Sequence, residues 1–120
     1  MTIAITNNPL VRDRLQGRAS PTVEFLDTDC LGVFKAARDR IHLGHGLLTH
    51  PLAGSVKPGE TPYKTVVITA EKGALNEKDL SIIEGSIQTC AKLAASVMRK
   101  NWSEEILADF QLIDYDLIFG

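Results

Sequence analysis

One segment of this 120-residue sequence can hardly form a helix, and it separates an N-terminal part of the chain from a C-terminal part. Residues 49–64 read THPLAGSVKPGETPYK, in which three prolines remove backbone donors and two glycines favour turns. All three histidines of the chain lie at or just before its start, between His42 and His50. Compact domains mostly use short connections, so a polar segment of this length is more typical of a binding or catalytic loop than of a spacer. It indicates where a function lies but names neither a reaction nor a ligand.

Strand and helix signals alternate on both sides of this loop. Strands are predicted over residues 2–6, 22–26, 46–49 and 64–69, and helices over residues 9–15, 30–41, 77–99 and from 104 onward. This order predicts a single α/β domain, residues 1–120, with a four-stranded, mixed but mostly parallel sheet flanked by about four helices. The fourth strand is expected to be antiparallel to the third, because a parallel crossover usually contains a helix.

The last predicted helix has an apolar face and five acids but no lysine or arginine. The face consists of Ile106, Phe110, Ile113 and Leu117, which recur at helical spacing. We expect this face to pack in the core with a solvated acidic face behind it, although it could also serve a partner or a homodimer.

Composition argues against several classes of protein. The formal charge of −2 and the pI near 5.9 argue against a nucleic-acid binder, which would carry a basic stripe. No apolar run approaches the roughly 20 residues of a membrane helix, and the N-terminus does not resemble a signal peptide, so we expect a cytoplasmic protein with no membrane partner. Cys30 and Cys90 fall in predicted helices without a CxxC motif, which favours reduced thiols over a disulfide framework.

The carboxyl ends of parallel strands gather ligands in sheets of this kind. That edge would collect Asn7 and Asn8 after the first strand, residues 27–30 after the second, and the loop after the third. The loop offers hydroxyl groups and positive charge on a stiff backbone, which suit a small anionic ligand. The predicted ligand-binding residues are Asn7, Asn8, Thr49, His50, Ser55, Lys57, Thr61 and Tyr63. The alternative is a rigid loop that covers the sheet edge, with Asn8 serving as a helix cap.

Two chemical readings of the histidines compete with simple binding. His50 could act as a general base in a small enzyme, together with Ser55, Cys30 or Asp27. The spacing of His42, His45 and His50 is compatible with a three-histidine zinc site. It spans a helix end, a glycine turn and a strand, however, so the side chains need not converge, and no metal is expected. Gly54 and Gly59 have the spacing of a phosphate-binding loop without its lysine and its helix, and no cofactor is evident.

Three stretches resemble the GrdX family: ITNNPLV at residues 5–11, GLLTHPLAGSVKPGETPYK at 46–64 and QLIDYDLI at 111–118. This family consists of small proteins associated with glycine reductase gene clusters in amino-acid-fermenting anaerobes. The resemblance implies a cytoplasmic setting beside a selenoenzyme system that reduces glycine, sarcosine or betaine. It implies an accessory or regulatory protein, with a reductase component as a possible partner. It brings no assigned activity and no catalytic residues.

Overall fold

The computed structural model describes residues 1–52, 61–96 and 102–120 and has an α/β architecture. In chain order its elements are β1 (Thr2–Thr6), α1 (Pro9–Leu15), β2 (Thr22–Phe25), α2 (Cys30–His42), β3 (His45–Leu47), β4 (Thr65–Lys72), α3 (Glu77–Ser96) and α4 (Glu104–Phe119). The predicted order of strands and helices is confirmed. None of the helices in the described part of the chain is long and apolar enough to cross a membrane.

The four strands form one mixed sheet in the order β2-β1-β4-β3. β1 and β2 pair in parallel, whereas β4 is antiparallel to both β1 and β3. The expectation of a mostly parallel sheet is therefore wrong, while the antiparallel fourth strand is confirmed. The reason is that the hairpin places β4 between β1 and β3, so the third strand never pairs with the first. β1, β2 and β3 nevertheless run in one direction, and their carboxyl ends meet at one edge beside the start of β4.

Helices α2 and α3 cover one face of the sheet. The residues that form this core are Ile5, Val66 and Ile68 from the sheet, Cys30, Val33, Phe34, Ala37 and Ile41 from α2, and Ile83 and Cys90 from α3. Side chains alternate along a strand, so Thr6, Thr65 and Val67 point to the opposite face. There the carboxylate of Asp114 in α4 accepts a hydrogen bond from Thr65 Oγ1 at 2.7 Å, which fixes α4 on that side.

Each of the four helices in the described residues has a side chain that caps its N-terminus by a hydrogen bond. Asn8, Asp29 and Ser103 accept from the backbone N–H groups of Leu10, Gly32 and Ile106, at 3.0, 2.8 and 3.3 Å. Asn76 accepts in the same way from Asp79 at 3.1 Å. These bonds satisfy donors that the first helical turn leaves without partners.

The orientation of α4 differs from the prediction. Of the residues expected in the core, Ile106, Ile113 and Leu117 are 44%, 48% and 44% exposed, and Phe110 is half-buried beside Trp102. The buried residue of this helix is Asp114. α4 is therefore rotated, and it presents to the sheet a stripe one position further along the chain.

Candidate functional site

Polar residues collect where the three co-directional strands end and β4 begins. We call this region the polar edge; it comprises residues 6–8, 26–30, 48–50, 61–65 and Asp114. The predicted convergence of the first two strand ends with the loop is present here: Asn7 joins the turn before α2 to the segment before β4. His50 belongs to the same edge by topology.

Asn7 holds three segments of the polar edge together. Its Nδ2 donates to the carbonyl oxygens of Thr28 and Pro62, both at 2.8 Å, and its Oδ1 accepts from the backbone N–H of Lys64 at 2.9 Å. The side chain is buried, and both hydrogens of its amide are used inside the protein. In this arrangement Asn7 positions the far end of the loop, and its contact with a ligand stays a prediction.

Asn8 is the centre of a buried network on the other face of the sheet. Its Oδ1 caps α1, while its Nδ2 donates to the Gln111 carbonyl at 2.9 Å and to Asp114 Oδ2 at 3.0 Å. Its backbone N–H donates to Thr6 Oγ1 at 3.0 Å. Asn8 therefore joins α1 to α4, a long-range role beyond the cap that the sequence suggested.

A chain of hydroxyl groups completes this network. Because Thr65 Oγ1 donates to Asp114 at 2.7 Å, it accepts from Thr6 Oγ1 at 2.8 Å. Burial raises the pKa of the Asp114 carboxyl, against the hydrogen bonds from Asn8 and Thr65 and the positive charge of Lys64. Sequence reasoning missed Asp114, which counted as one of the solvated acids of α4. Its helical spacing with half-buried Leu107, Gln111 and Ile118 was the available signal.

The loop returns to the sheet through Thr61, Tyr63 and Lys64. Thr61 is buried, and its Oγ1 accepts from the Tyr63 backbone N–H at 3.2 Å. Tyr63 Oη accepts from Gln111 Nε2 at 3.1 Å, which ties the segment to α4. A cavity of about 10 Å³ lies among Thr61, Tyr63, Lys64, Ile113, Asp114 and Leu117. This volume suits about one water molecule rather than a metabolite.

The loop leaves the sheet at Thr49 and His50. Thr49 Oγ1 accepts from the Val67 backbone N–H at 3.0 Å, and exposed His50 accepts through Nδ1 from Leu52 N–H at 3.1 Å. The predicted site residues Ser55 and Lys57 lie outside the described residues. Both described ends of the loop are thus anchored, one to β4 and the other to Asn7.

The residues of the enzyme alternative do not form a hydrogen-bonded group in the described part of the chain. Cys30 is buried against Cys90, whereas Asp27 and His50 are exposed and neither bonds to Cys30. The fourth residue of that alternative, Ser55, is outside the described residues.

The histidines lie in separate environments. His42 is exposed at the end of α2, and His45 is buried in β3, where Nδ1 donates to the Thr69 carbonyl at 2.7 Å and Nε2 has no hydrogen-bond partner among the described residues. Within the described ranges, no group of three or more histidine, cysteine, aspartate or glutamate side chains could hold a metal ion.

A larger cavity lies away from the predicted site. It has a volume of about 380 Å³ and is formed between α1 and β2, with Arg12, Arg18 and Phe25 among its lining residues. The Arg12 guanidinium lies 4.6 Å from the centre of the Phe25 ring. Since two arginines border it, this groove is a second place where an anion could bind.

Comparison with known proteins gives a family and no closer relative. No match is found among curated proteins or among solved structures. The family model described as GrdX-like protein matches residues 3–120, which is nearly the whole chain and includes both the loop and the Asn7–Asn8 pair. The chain therefore belongs to the GrdX-like family.

Proposed function

We propose that this protein is an accessory protein that binds a small anionic metabolite at the polar edge, through residues 49–64. The observation that carries the proposal is the anchoring of both described ends of the loop. Thr49 is held by β4, and Asn7 holds Pro62 and Lys64 by hydrogen bonds of 2.8 and 2.9 Å. Fixed ends reduce the conformational entropy that a loop loses on binding a ligand, which favours binding.

Charge supports an anion as the ligand. Lys64 is only 4% exposed, and its positive charge acts on Asp114 and on the thiols of Cys30 and Cys90. The loop would add further hydrogen-bond donors, namely the ammonium group of Lys57 and the hydroxyl groups of Ser55, Thr61 and Tyr63. The family resemblance implies a cytoplasmic setting beside glycine reductase, in which small carboxylates and amino-acid-like compounds would be the expected ligands.

A thermal-shift screen of small carboxylates, phosphates and amino-acid-like zwitterions tests this proposal. A ligand at 100 times its dissociation constant stabilises the folded state by about 2.7 kcal/mol, or roughly 10 °C in Tm for a domain of this size. Lys57→Ala and His50→Ala should remove most of the shift. Lys72→Ala and His42→Ala are matched controls, because these exposed residues flank the opposite end of β3, and they should retain it.

Two outcomes would reject this site. If no compound in the screen shifts the Tm, the protein does not bind a metabolite of the proposed class. If a shift is lost in Arg18→Ala and kept in Lys57→Ala, the anion binds in the groove between α1 and β2 instead.

Docking on a glycine reductase component is the second candidate function. It is favoured by the exposed apolar side chains of Ile106, Ile113 and Leu117 on α4. A homodimer through the same face is the structural alternative. Failure of every small ligand together with capture of a purified reductase component would favour docking over metabolite binding.

A further inference from the structure

The two cysteines of the chain form a buried pair between α2 and α3. Cys30 Sγ and Cys90 Sγ lie 3.4 Å apart, although the residues are 60 positions apart in the sequence. We propose that they form a redox site, a dithiol that an external disulfide oxidises to an intramolecular disulfide and that thiols reduce again. Neither the family nor the binding proposal assigns such a site, and the inference does not depend on either.

The geometry allows a bond between the two sulfur atoms. A disulfide bond is about 2.0 Å long, so the sulfur atoms must approach each other by about 1.4 Å. Cys30 is the first residue of α2, where the backbone has more freedom than in mid-helix. Small changes in side-chain rotation and at this helix end can supply the movement. Because the folded chain already holds the two thiols in contact, forming the bond costs little further chain entropy.

The surroundings favour one thiolate in the pair, on Cys90, with the proton held by Cys30. The hydrogen bond between the sulfur atoms, and then burial, raises the pKa of Cys30; the same bond lowers the pKa of Cys90, although burial opposes it. The positive charge of Lys64 lowers the pKa of both thiols, whereas the carboxylate of Asp29 raises it. The α2 N-terminus at Cys30 adds a favourable dipole. The pair can thus hold one negative charge and one shared proton.

The reaction is a two-step thiol–disulfide exchange. Cys30, which is 7% exposed against 2% for Cys90, passes the shared proton to Cys90 and attacks one sulfur of the external disulfide, whose S–S bond breaks. Cys90 then gives that proton to the released thiolate, attacks Cys30 Sγ in the mixed disulfide and displaces the second sulfur. The two cysteines lose two electrons and the external disulfide becomes two thiols, of which one carries the proton of the pair and the other takes a proton from water.

Equilibration of the folded, full-length protein with mixtures of oxidised and reduced glutathione tests the proposal. Acid quenching, alkylation of free thiols and mass spectrometry give the number of thiols that remain. We expect one transition from two free thiols to none, with a peptide that links Cys30 to Cys90. The equilibrium constant should be at least about tenfold larger for the folded protein than for the protein in denaturant, because the fold holds the sulfur atoms together.

Single substitutions separate this site from general thiol reactivity. Cys90→Ala should stop at a mixed disulfide on Cys30, and Cys30→Ala should react more slowly because Cys90 is less exposed; circular dichroism checks that both variants fold. Persistence of two thiols in the wild type would overturn the proposal. So would glutathione adducts or intermolecular dimers as the final products, or equal oxidation of the folded and denatured protein.

Discussion

At the residue scale, Asn8 has one role that is local and another that is not. Its position before Pro9 predicts a helix cap, and the hydrogen bond from Leu10 N–H confirms it. Its bond to Asp114 spans 106 residues, and the bond from Thr65 to the same carboxylate spans 49. Local sequence contains no signal for such pairs, since they depend on where α4 packs. The cap was therefore predictable, and the contact of Asn8 with a distant carboxylate was not.

Removing the Asp114 carboxylate should destabilise the fold. Asp114→Ala leaves the buried donors of Asn8 and Thr65 without their acceptor, which should lower the free energy of unfolding by about 3 kcal/mol. Asp114→Asn keeps an acceptor oxygen and should cost less. Urea denaturation of both variants measures the difference, with exposed Asp109→Asn in the same helix as the control. Equal effects at Asp109 and Asp114 would contradict a structural role for the network.

The pH dependence of the same variants tests the burial of the carboxyl. Its pKa is raised in the folded state, so the folded protein holds this proton more tightly than the unfolded chain, where the pKa is about 3.9. The contribution of this proton to the free energy of unfolding is fully present below about pH 4, and it is lost as the pH rises through the folded-state pKa. D114N lacks this titration. Its free energy of unfolding relative to wild type should therefore rise between pH 4 and neutral pH, and a constant difference would be the contrary result.

At the element scale, the start of every helix could be predicted, whereas the inward face of α4 could not. Caps at Asn8, Asp29, Asn76 and Ser103 act within three residues, and the sequence displays them directly. In α4, apolar residues lie on several sides, and neighbouring helical residues are about 100° apart, so two stripes compete. The network at Asp114 selects the stripe of half-buried Leu107, Gln111 and Ile118.

Truncation of one isoleucine on each of two helices checks this rotation. Ile113 is 48% exposed, so Ile113→Ala should change the free energy of unfolding by less than about 1 kcal/mol. Ile83 in α3 is fully buried, and Ile83→Ala should cost about 2 to 5 kcal/mol. Chemical denaturation of both variants gives the comparison. A loss at Ile113 as large as that at Ile83 would mean that this face is covered, as the sequence had suggested, or that a second copy of the chain covers it.

At the scale of the whole molecule, the order of elements followed from the sequence and the order of strands did not. The hairpin of β3 and β4 was predictable because the loop between them cannot form a crossover helix. The insertion of β4 beside β1 depends on pairing Thr2–Thr6 with residues more than 50 positions away. The convergence at the polar edge was nevertheless expected, because it requires only that the first three strands share one direction.

The same long-range packing determines what the cysteine pair can do for the whole molecule. A bond between Cys30 and Cys90 would close a loop of 60 residues, for which the chain-entropy model gives about 4 kcal/mol of stabilisation before any strain. We expect oxidised protein to have a Tm about 15 °C above that of the reduced protein. Calorimetry on reduced and oxidised preparations measures the shift, and Cys90→Ala treated with the same oxidant should show none, because it cannot close the loop. A lower Tm after oxidation would indicate that the disulfide bond distorts the core between α2 and α3. The contact between the two thiols would then be a packing contact and not the geometry of a redox site.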